Sequence, residues 1–333
     1  MHRRRRGGGG LDRRGGHPVS QAESPGRHRR GTPVTIPTVS ASAWTPPAGT
    51  TPAELRLAGA PISWGICEVP GWGHQLTAQR VLRELGSVGL RAAEFGPDGF
   101  LCPVAMVANG ITPVGGFAPV VAHRDDHDPL EALAPQIAAF AACGADVLVV
   151  AAVSGCDGYD QQPVLDDAGA ATLVNNLDRI DAAAAQAGVR AVLHPHVGTM
   201  IETTGQVQQV LDGSRIGLCL DTGHLMIGGT DPIDLLDSAA HRIAHVHLKD
   251  VDAAVLARVR SGELTYTDGV RAGMYRPVGH GDVDIAGVVA RLRAAGYAGW
   301  WVLEQDTILA GEPDGPGPVT DVARSVNFLR ALP

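Results

Sequence analysis

The sequence predicts an α/β protein built as a (β/α)₈ barrel. From Leu55 onward, short apolar runs alternate with amphipathic or alanine-rich stretches. Eight such pairs over about 280 residues are typical of this barrel. An open, doubly wound sheet is the alternative, but it normally carries a GxGxxG motif after its first strand, and the chain has none there. Apolar residues make up 44% of the chain, which is enough for a large core.

The predicted strands are short apolar runs bounded by turn residues. In chain order they lie near 55–60, 89–95, 111–117, 146–152, 189–196, 215–221, 242–248 and 300–305.

The predicted helices show apolar residues three or four positions apart, as Leu173, Leu177 and Ile180 do before Gly188 ends their helix. In chain order they lie near 77–87, 103–109, 129–143, 167–187, 204–212, 231–240, 284–295 and 319–331. The connection 250–283 is unusually long, and long connections at the mouth of a barrel carry function or cover the site.

The charge is unevenly distributed. Residues 1–50 hold nine arginines against Asp12 and Glu23, a net charge of about +7; the whole chain sums to −8, so the rest carries about −15. Such an acidic body argues against nucleic-acid binding, which depends on neutralising phosphates. We expect residues 1–50 to be a disordered, basic, Gly/Arg/Pro-rich extension and residues 51–333 to form one catalytic barrel domain.

Other features point to a cytoplasmic protein with a small-molecule partner. No apolar run approaches the roughly 20 residues that span a bilayer, so no membrane partner is expected. No apolar segment follows the arginine-rich start, as it would in a secretory signal. The five cysteines form no CxxC pair. Self-association into a homo-oligomer is also compatible with the sequence.

The last four predicted strands end in residue types that bind metal ions. Side chains alternate along a strand, so His245, His247 and Lys249 share one face while their apolar neighbours point the other way. The same alternation turns the ionisable groups of the other three strands toward the barrel lumen: His194, His196, Asp221 and Glu304.

A single histidine inside a barrel is more often a hydrogen-bonded core residue than a ligand. Four adjacent strands that all deliver ionisable groups are different, because unpaired buried charges are costly. We therefore expect one bound divalent metal ion. Mixed nitrogen and oxygen ligation suits Mn²⁺ or Co²⁺ first, with Mg²⁺ and Zn²⁺ as alternatives.

Lys249 is the only lysine among 27 basic residues. Unlike arginine, lysine can release a proton near neutral pH, which makes Lys249 a candidate for proton transfer. The alternative is that this lysine was retained by chance and has no role in proton transfer.

Seven motifs spread over nearly all of 55–331 resemble one known superfamily. They are Ala60-Pro61-Ile62-Ser63-Trp64-Gly65, Glu94-Phe95-Gly96-Pro97-Asp98-Gly99-Phe100, His194-Pro195-His196-Val197-Gly198-Thr199, Asp221-Thr222-Gly223-His224, His245-Val246-His247-Leu248-Lys249-Asp250, Gly279-His280-Gly281-Asp282-Val283-Asp284 and Trp301-Val302-Leu303-Glu304-Gln305-Asp306. They resemble the xylose isomerase-like barrels, a superfamily of sugar phosphate isomerases and epimerases. Within it they are most similar to the inosose dehydratases of inositol catabolism.

The resemblance implies metal ligands at Asp221, His247 and Glu304. Many relatives place a glutamate at the fourth position, where this chain has His194. The fourth ligand therefore stays open between His194 and His196.

The resemblance also implies roles around the metal. His224 matches a histidine that contacts substrate in ketose epimerases, and we take Lys249 and His224 as the catalytic, proton-transferring residues. Expected substrate-binding residues are Glu94, His196, Trp64 and Arg276. Glu94 has an alternative role as a structural partner of an arginine. Trp64 and Trp72 are expected to form walls of the pocket, and buried packing is their alternative role.

The expected function is a metal-dependent lyase that dehydrates an inosose, a polyhydroxylated cyclic ketone, through a metal-stabilised enediolate. The alternative is a ketose isomerase or 3-epimerase at the same site. Epimerases commonly use two metal-bound carboxylates on opposite faces of the substrate, and His194 leaves this chain one short of such a pair. A DNA-repair endonuclease of the same superfamily would need a basic groove, and the charge of about −15 on the barrel domain argues against one. The intact ligand set argues against a non-catalytic sugar-binding barrel.

Overall fold

A computed structural model of the chain describes residues 55–333, so the predicted extension 1–50 lies outside the described residues. Eleven strands are present in this part of the chain. They are β1 (Arg56–Gly59), β2 (Ala92–Ala93), β3 (Thr112–Pro113), β4 (Gly115–Val120), β5 (Val147–Ala152), β6 (Arg190–Leu193), β7 (Gly217–Asp221), β8 (Ile243–Leu248), β9 (Asp250–Val251), β10 (Tyr275–Arg276) and β11 (Trp300–Leu303).

Nine of these strands form one parallel sheet in the order β3-β2-β1-β11-β8-β7-β6-β5-β4. Its two end members, β3 and β4, are halves of one strand separated only by Val114. The N–H of Val114 donates to Ala93 O of β2 at 3.0 Å, and its carbonyl accepts from Val147 N of β5 at 3.2 Å. The sheet therefore closes on itself as an eight-stranded barrel, and the predicted fold is confirmed.

The α-helices that connect and cover these strands are α1 (Ala78–Ser87), α2 (Pro103–Ala108), α3 (Pro129–Cys143), α4 (Asp167–Gln186), α5 (Thr204–Gly213), α6 (Thr222–Ile227), α7 (Pro232–Ala239), α8 (Ala253–Arg260), α9 (Tyr266–Arg271), α10 (Ile285–Ala294) and α11 (Val319–Ala331). The eight predicted helices correspond to α1–α5, α7, α10 and α11. Sequence patterns missed α6, and they missed that the long connection 250–283 folds into α8, α9 and the antiparallel pair β9–β10. None of the helices in residues 55–333 is long and apolar enough to cross a membrane.

Alternation along the strands separates two apolar layers. In β7, Leu218 and Leu220 pack into the large core between barrel and helices, whereas Cys219 packs against Val149 and Val192 inside the barrel. Asp221, two positions after Cys219, therefore faces the lumen at the carboxyl end of β7. This is the end at which barrel enzymes build their sites.

Candidate active site

Three neighbouring strands bring Asp221, His247 and Glu304 together at the mouth of the barrel. Asp221 ends β7, His247 lies near the end of β8 and Glu304 directly follows β11. His247 Nδ1 is 3.7 Å from Asp221 Oδ2 and 3.3 Å from Glu304 Oε2. All three residues are buried, and their ligand atoms lie within 4.8 Å of one another. This spacing lets one cation contact all three side chains.

The two histidines that follow β6 differ in their contacts. His194 Nε2 lies 3.2 Å from Asp221 Oδ2, beside the three converging side chains. His196 points elsewhere: its Nδ1 lies 2.8 Å from Val197 O, and its ring packs 3.8 Å from that of His224 and 4.4 Å from that of Tyr159, measured between centroids. His194 is thus the better placed of the two to complete a ligand set.

Lys249 is surrounded by side chains that can accept hydrogen bonds from its ammonium group. Its Nζ lies 2.7 Å from His224 Nε2, 2.9 Å from Glu304 Oε2, 2.9 Å from Asp306 Oδ1 and 3.3 Å from Asp221 Oδ2. The side chain is only 3% exposed, so these contacts replace almost all of its hydration. Lys249 therefore links the proposed metal ligands to a second group formed by Asp306 and His224.

The surroundings shift the pKa of each charged group in this cluster. Burial by itself would lower the pKa of Lys249, but Asp221, Asp306 and Glu304 raise it well above its ordinary value. Burial would raise the pKa of Glu304, but His247 and Lys249 lower it to about 2. The protein's own carboxylates thus act on the pKa of Lys249 in the opposite direction from the one in which a bound cation would.

Two histidines have pKa values that differ in direction. Burial lowers the pKa of His224 well below its usual value, and the nearby His196 and Lys249 add to this effect. Burial would do the same to His247, but Cys219, Glu304 and Glu94 raise its pKa well above the ordinary one. The surroundings of His247 therefore favour its positively charged form, and those of His224 favour its neutral form.

The ring nitrogen Nδ1 of His247 is buried without a hydrogen bond, and its surroundings show whether these residues fit a metal ion. His247 Nε2 lies 3.0 Å from Glu94 Oε1, whereas its Nδ1 makes no hydrogen bond. With the proton on Nε2, the lone pair of Nδ1 points toward the carboxylates of Asp221 and Glu304. That arrangement is repulsive unless a proton or a metal cation lies between the three atoms, and one nitrogen with two carboxylate oxygens is a donor set that fits a divalent ion.

A cavity opens above these residues at the mouth of the barrel. Its walls include Trp72, Glu94 and His196 of the predicted residues, together with His194, His247, Lys249 and Glu304. His224 and Asp221 lie behind this wall, 1% and 0% exposed, and reach the cavity through Lys249 and His247.

Two predicted substrate-binding residues lie away from the cavity. Trp64 is completely buried, and its Nε1 donates to Glu84 Oε2 at 2.7 Å, so its polar atom is used in anchoring α1. Arg276, in β10, is exposed and pairs with Asp252 at 2.8 Å. Neither forms part of the cavity wall, which corrects the expectation for both.

Sequence reasoning missed three residues around Lys249 and its partner Asp306, namely Asp306 itself, Tyr266 and Tyr275. Asp306 pairs with Lys249 and accepts a hydrogen bond from the Tyr266 hydroxyl. Tyr275 lies with its ring centroid 5.5 Å from Lys249 Nζ. Period two, continued from Glu304, would have pointed to Asp306, whereas the tyrosines come from the long connection, where no pattern marks them.

Comparison with known proteins identifies the family. The sequence model of the xylose isomerase-like TIM barrels matches residues 105–332. The chain belongs to this family. Inosose dehydratase of Geobacillus thermodenitrificans strain NG80-2 is 30% identical over 274 residues, which cover 77% of this chain and 92% of that protein. Inosose dehydratase of Geobacillus kaustophilus strain HTA426 is 31% identical over 271 residues, covering 76% and 87%. These relatives indicate a hydro-lyase, as the sequence predicts.

Solved structures of low sequence identity share the fold. The probable 3-DHS dehydratase AsbF from Bacillus anthracis superimposes with a TM-score of 0.59 at 15% identity, over 82% of this chain and 98% of that one. The IolI protein, whose structure contains a bound zinc atom, gives a TM-score of 0.58 at 16% identity, over 82% and 94%.

Proposed function

We propose that this family member is a metal-dependent hydro-lyase that dehydrates an inosose or a closely similar polyhydroxylated cyclic ketone. The observation that carries the proposal is the contact of the buried ammonium of Lys249 with Glu304, Asp221 and His224 at one cavity. Dehydration beside a ketone needs a group that acidifies a C–H bond, and it needs a side chain that takes that proton and gives one to the departing hydroxide. The clustered carboxylates and histidines suit the first task, and Lys249 suits the second.

The proposed ligands are Asp221, His247, Glu304 and His194, for a divalent cation with Mn²⁺ or Co²⁺ preferred over Mg²⁺ and Zn²⁺. Such a cation would polarise the substrate ketone and acidify the neighbouring C–H. The zinc atom in the structure of IolI, which shares this fold, supports metal binding by this protein without fixing the identity of the ion.

The proton transfers are proposed to use Lys249 and His224. Lys249 borders the cavity, so its amine form can accept the proton of the acidified C–H bond and hand it to the departing hydroxyl, which leaves as water. His224 Nε2, 2.7 Å behind it, can exchange a proton with Lys249 while remaining shielded from solvent. His196 and Trp72 form walls against which the substrate ring would pack.

An isomerase or 3-epimerase would reprotonate the substrate carbon instead of expelling hydroxide. Such a reaction commonly uses two metal-bound carboxylates on opposite faces of the substrate, and His194, at the position where the family resemblance implies a glutamate, leaves this chain without one of them. We therefore prefer the dehydratase. We further propose that it acts in the cytoplasm on small molecules alone.

The test is incubation of metal-reconstituted protein with an inosose and, separately, with ketoses. The proposal expects an absorbing dione from the inosose and no epimeric sugar from the ketoses. Epimeric sugar without dione would replace the proposal by the isomerase alternative.

A further inference from the structure

Glu94 makes two buried contacts with neighbouring histidines. Its Oε1 lies 2.8 Å from His245 Nε2 and 3.0 Å from His247 Nε2. The three side chains are at most 4% exposed. The backbone of Glu94 is fixed as well, because its N–H donates to Gly59 O at 3.0 Å. One rigidly held carboxylate oxygen therefore serves two imidazoles.

These contacts decide which nitrogen of His247 is available. A carboxylate oxygen is only an acceptor, so it holds the proton of His247 on Nε2. Nδ1 is then the free donor atom, and this is the atom that lies 3.3 Å from Glu304 Oε2 and 3.7 Å from Asp221 Oδ2. A carboxylate behind a histidine also increases the basicity of the ring and fixes its orientation.

We propose that Glu94 is a positioning residue that holds His247 with its proton on Nε2 and thereby sets the affinity of the metal site. This inference rests on the proposed function, since it assumes a cation among Asp221, His247 and Glu304. The alternative of a structural ion pair with an arginine receives no support, because the hydrogen bonds of Glu94's side chain among residues 55–333 go to His245 and His247.

The first test measures Zn²⁺ and Mn²⁺ affinity by competition with a chelator in the wild-type chain and in Glu94→Gln. Glutamine keeps the size and an acceptor oxygen but loses the charge. We expect affinity to fall by about 10–100-fold, the usual effect of removing such a partner. The matched control is Glu84→Gln, which removes another largely buried carboxylate, bonded to Arg80 and Trp64 outside the site. The control should retain wild-type affinity.

The outcomes separate the two claims. Wild-type affinity in a folded Glu94→Gln would overturn the role of Glu94 and leave the metal proposal standing. A wild-type protein that binds neither ion would overturn the proposed function itself.

A second measurement does not depend on any variant. In the zinc-loaded wild-type protein, long-range ¹H–¹⁵N NMR of the histidine rings should show His247 bound through Nδ1 and protonated on Nε2. Coordination through Nε2 would contradict the inference even if Glu94→Gln failed to fold.

Discussion

Replacing Lys249 separates the contribution of its charge from that of its proton. Lys249→Arg keeps a cation within reach of Asp221, Glu304 and Asp306, but arginine does not release a proton near neutral pH. Turnover should therefore fall by about 10²-fold or more, the usual scale for a general acid or base. Metal content and melting temperature should stay near those of the wild type.

Lys249→Met is the matched variant, because it removes the charge as well. Three buried carboxylates would then lose their shared cation, and breaking a buried pair costs about 3–5 kcal/mol. At about 2–4 °C per kcal/mol for a domain of this size, the chelator-stripped variant should melt roughly 6–20 °C lower than the wild type.

The assay for both variants is steady-state turnover of an inosose beside thermal melting of the stripped protein. Near-normal turnover in Lys249→Arg would refute the reasoning. Lys249 would then be a structural cation, and His224 would remain as the candidate for proton transfer.

Three further outcomes are expected. Asp306→Asn weakens a charge-assisted contact to Lys249, so kcat should drop about tenfold, equivalent to about 1.4 kcal/mol. Metal affinity, measured by competition with a chelator, should stay unchanged. An equal loss of metal affinity would contradict a role through Lys249. Tyr266→Phe removes the hydrogen bond to Asp306 and the hydroxyl contact to Tyr275 but leaves the Asp306–Lys249 pair in place, so its kcat should fall less than that of Asp306→Asn. An equal or larger loss would give the hydroxyl a role of its own. A chain starting at Thr51 should keep the melting temperature and turnover of the full chain, and a large loss in either would show that residues 1–50 contribute to the fold or site.

Strand alternation explains why much of the site was visible in the sequence. His245, His247 and Lys249 share a face because a strand has period two, and buried apolar neighbours such as Val246 and Leu248 mark the opposite face. The same rule holds one step beyond a strand, as Glu304 shows directly after β11. Asp306 also follows this alternation, but it lies three residues after β11 ends, where no strand pattern marks it.

The contacts that sequence patterns failed to predict join distant segments. Trp64 is of a residue type that often forms pocket walls. Its side-chain N–H instead donates to Glu84, twenty residues later on α1, and the ring is buried in the core. Tyr266 reaches Asp306 from a connection whose short helix has no strong apolar periodicity. Such pairings depend on tertiary packing, which local spacing does not encode.

One divalent ion, held by Asp221, His247 and Glu304, is proposed to be required for dehydration. The most direct measurement is a titration of chelator-stripped protein with Mn²⁺, following bound ion per chain and inosose turnover on the same samples. Turnover should rise in proportion to bound ion and level off at one ion per chain, and Asp221→Ala should show neither. Full turnover in protein shown to hold no ion, or in Asp221→Ala, would contradict the account.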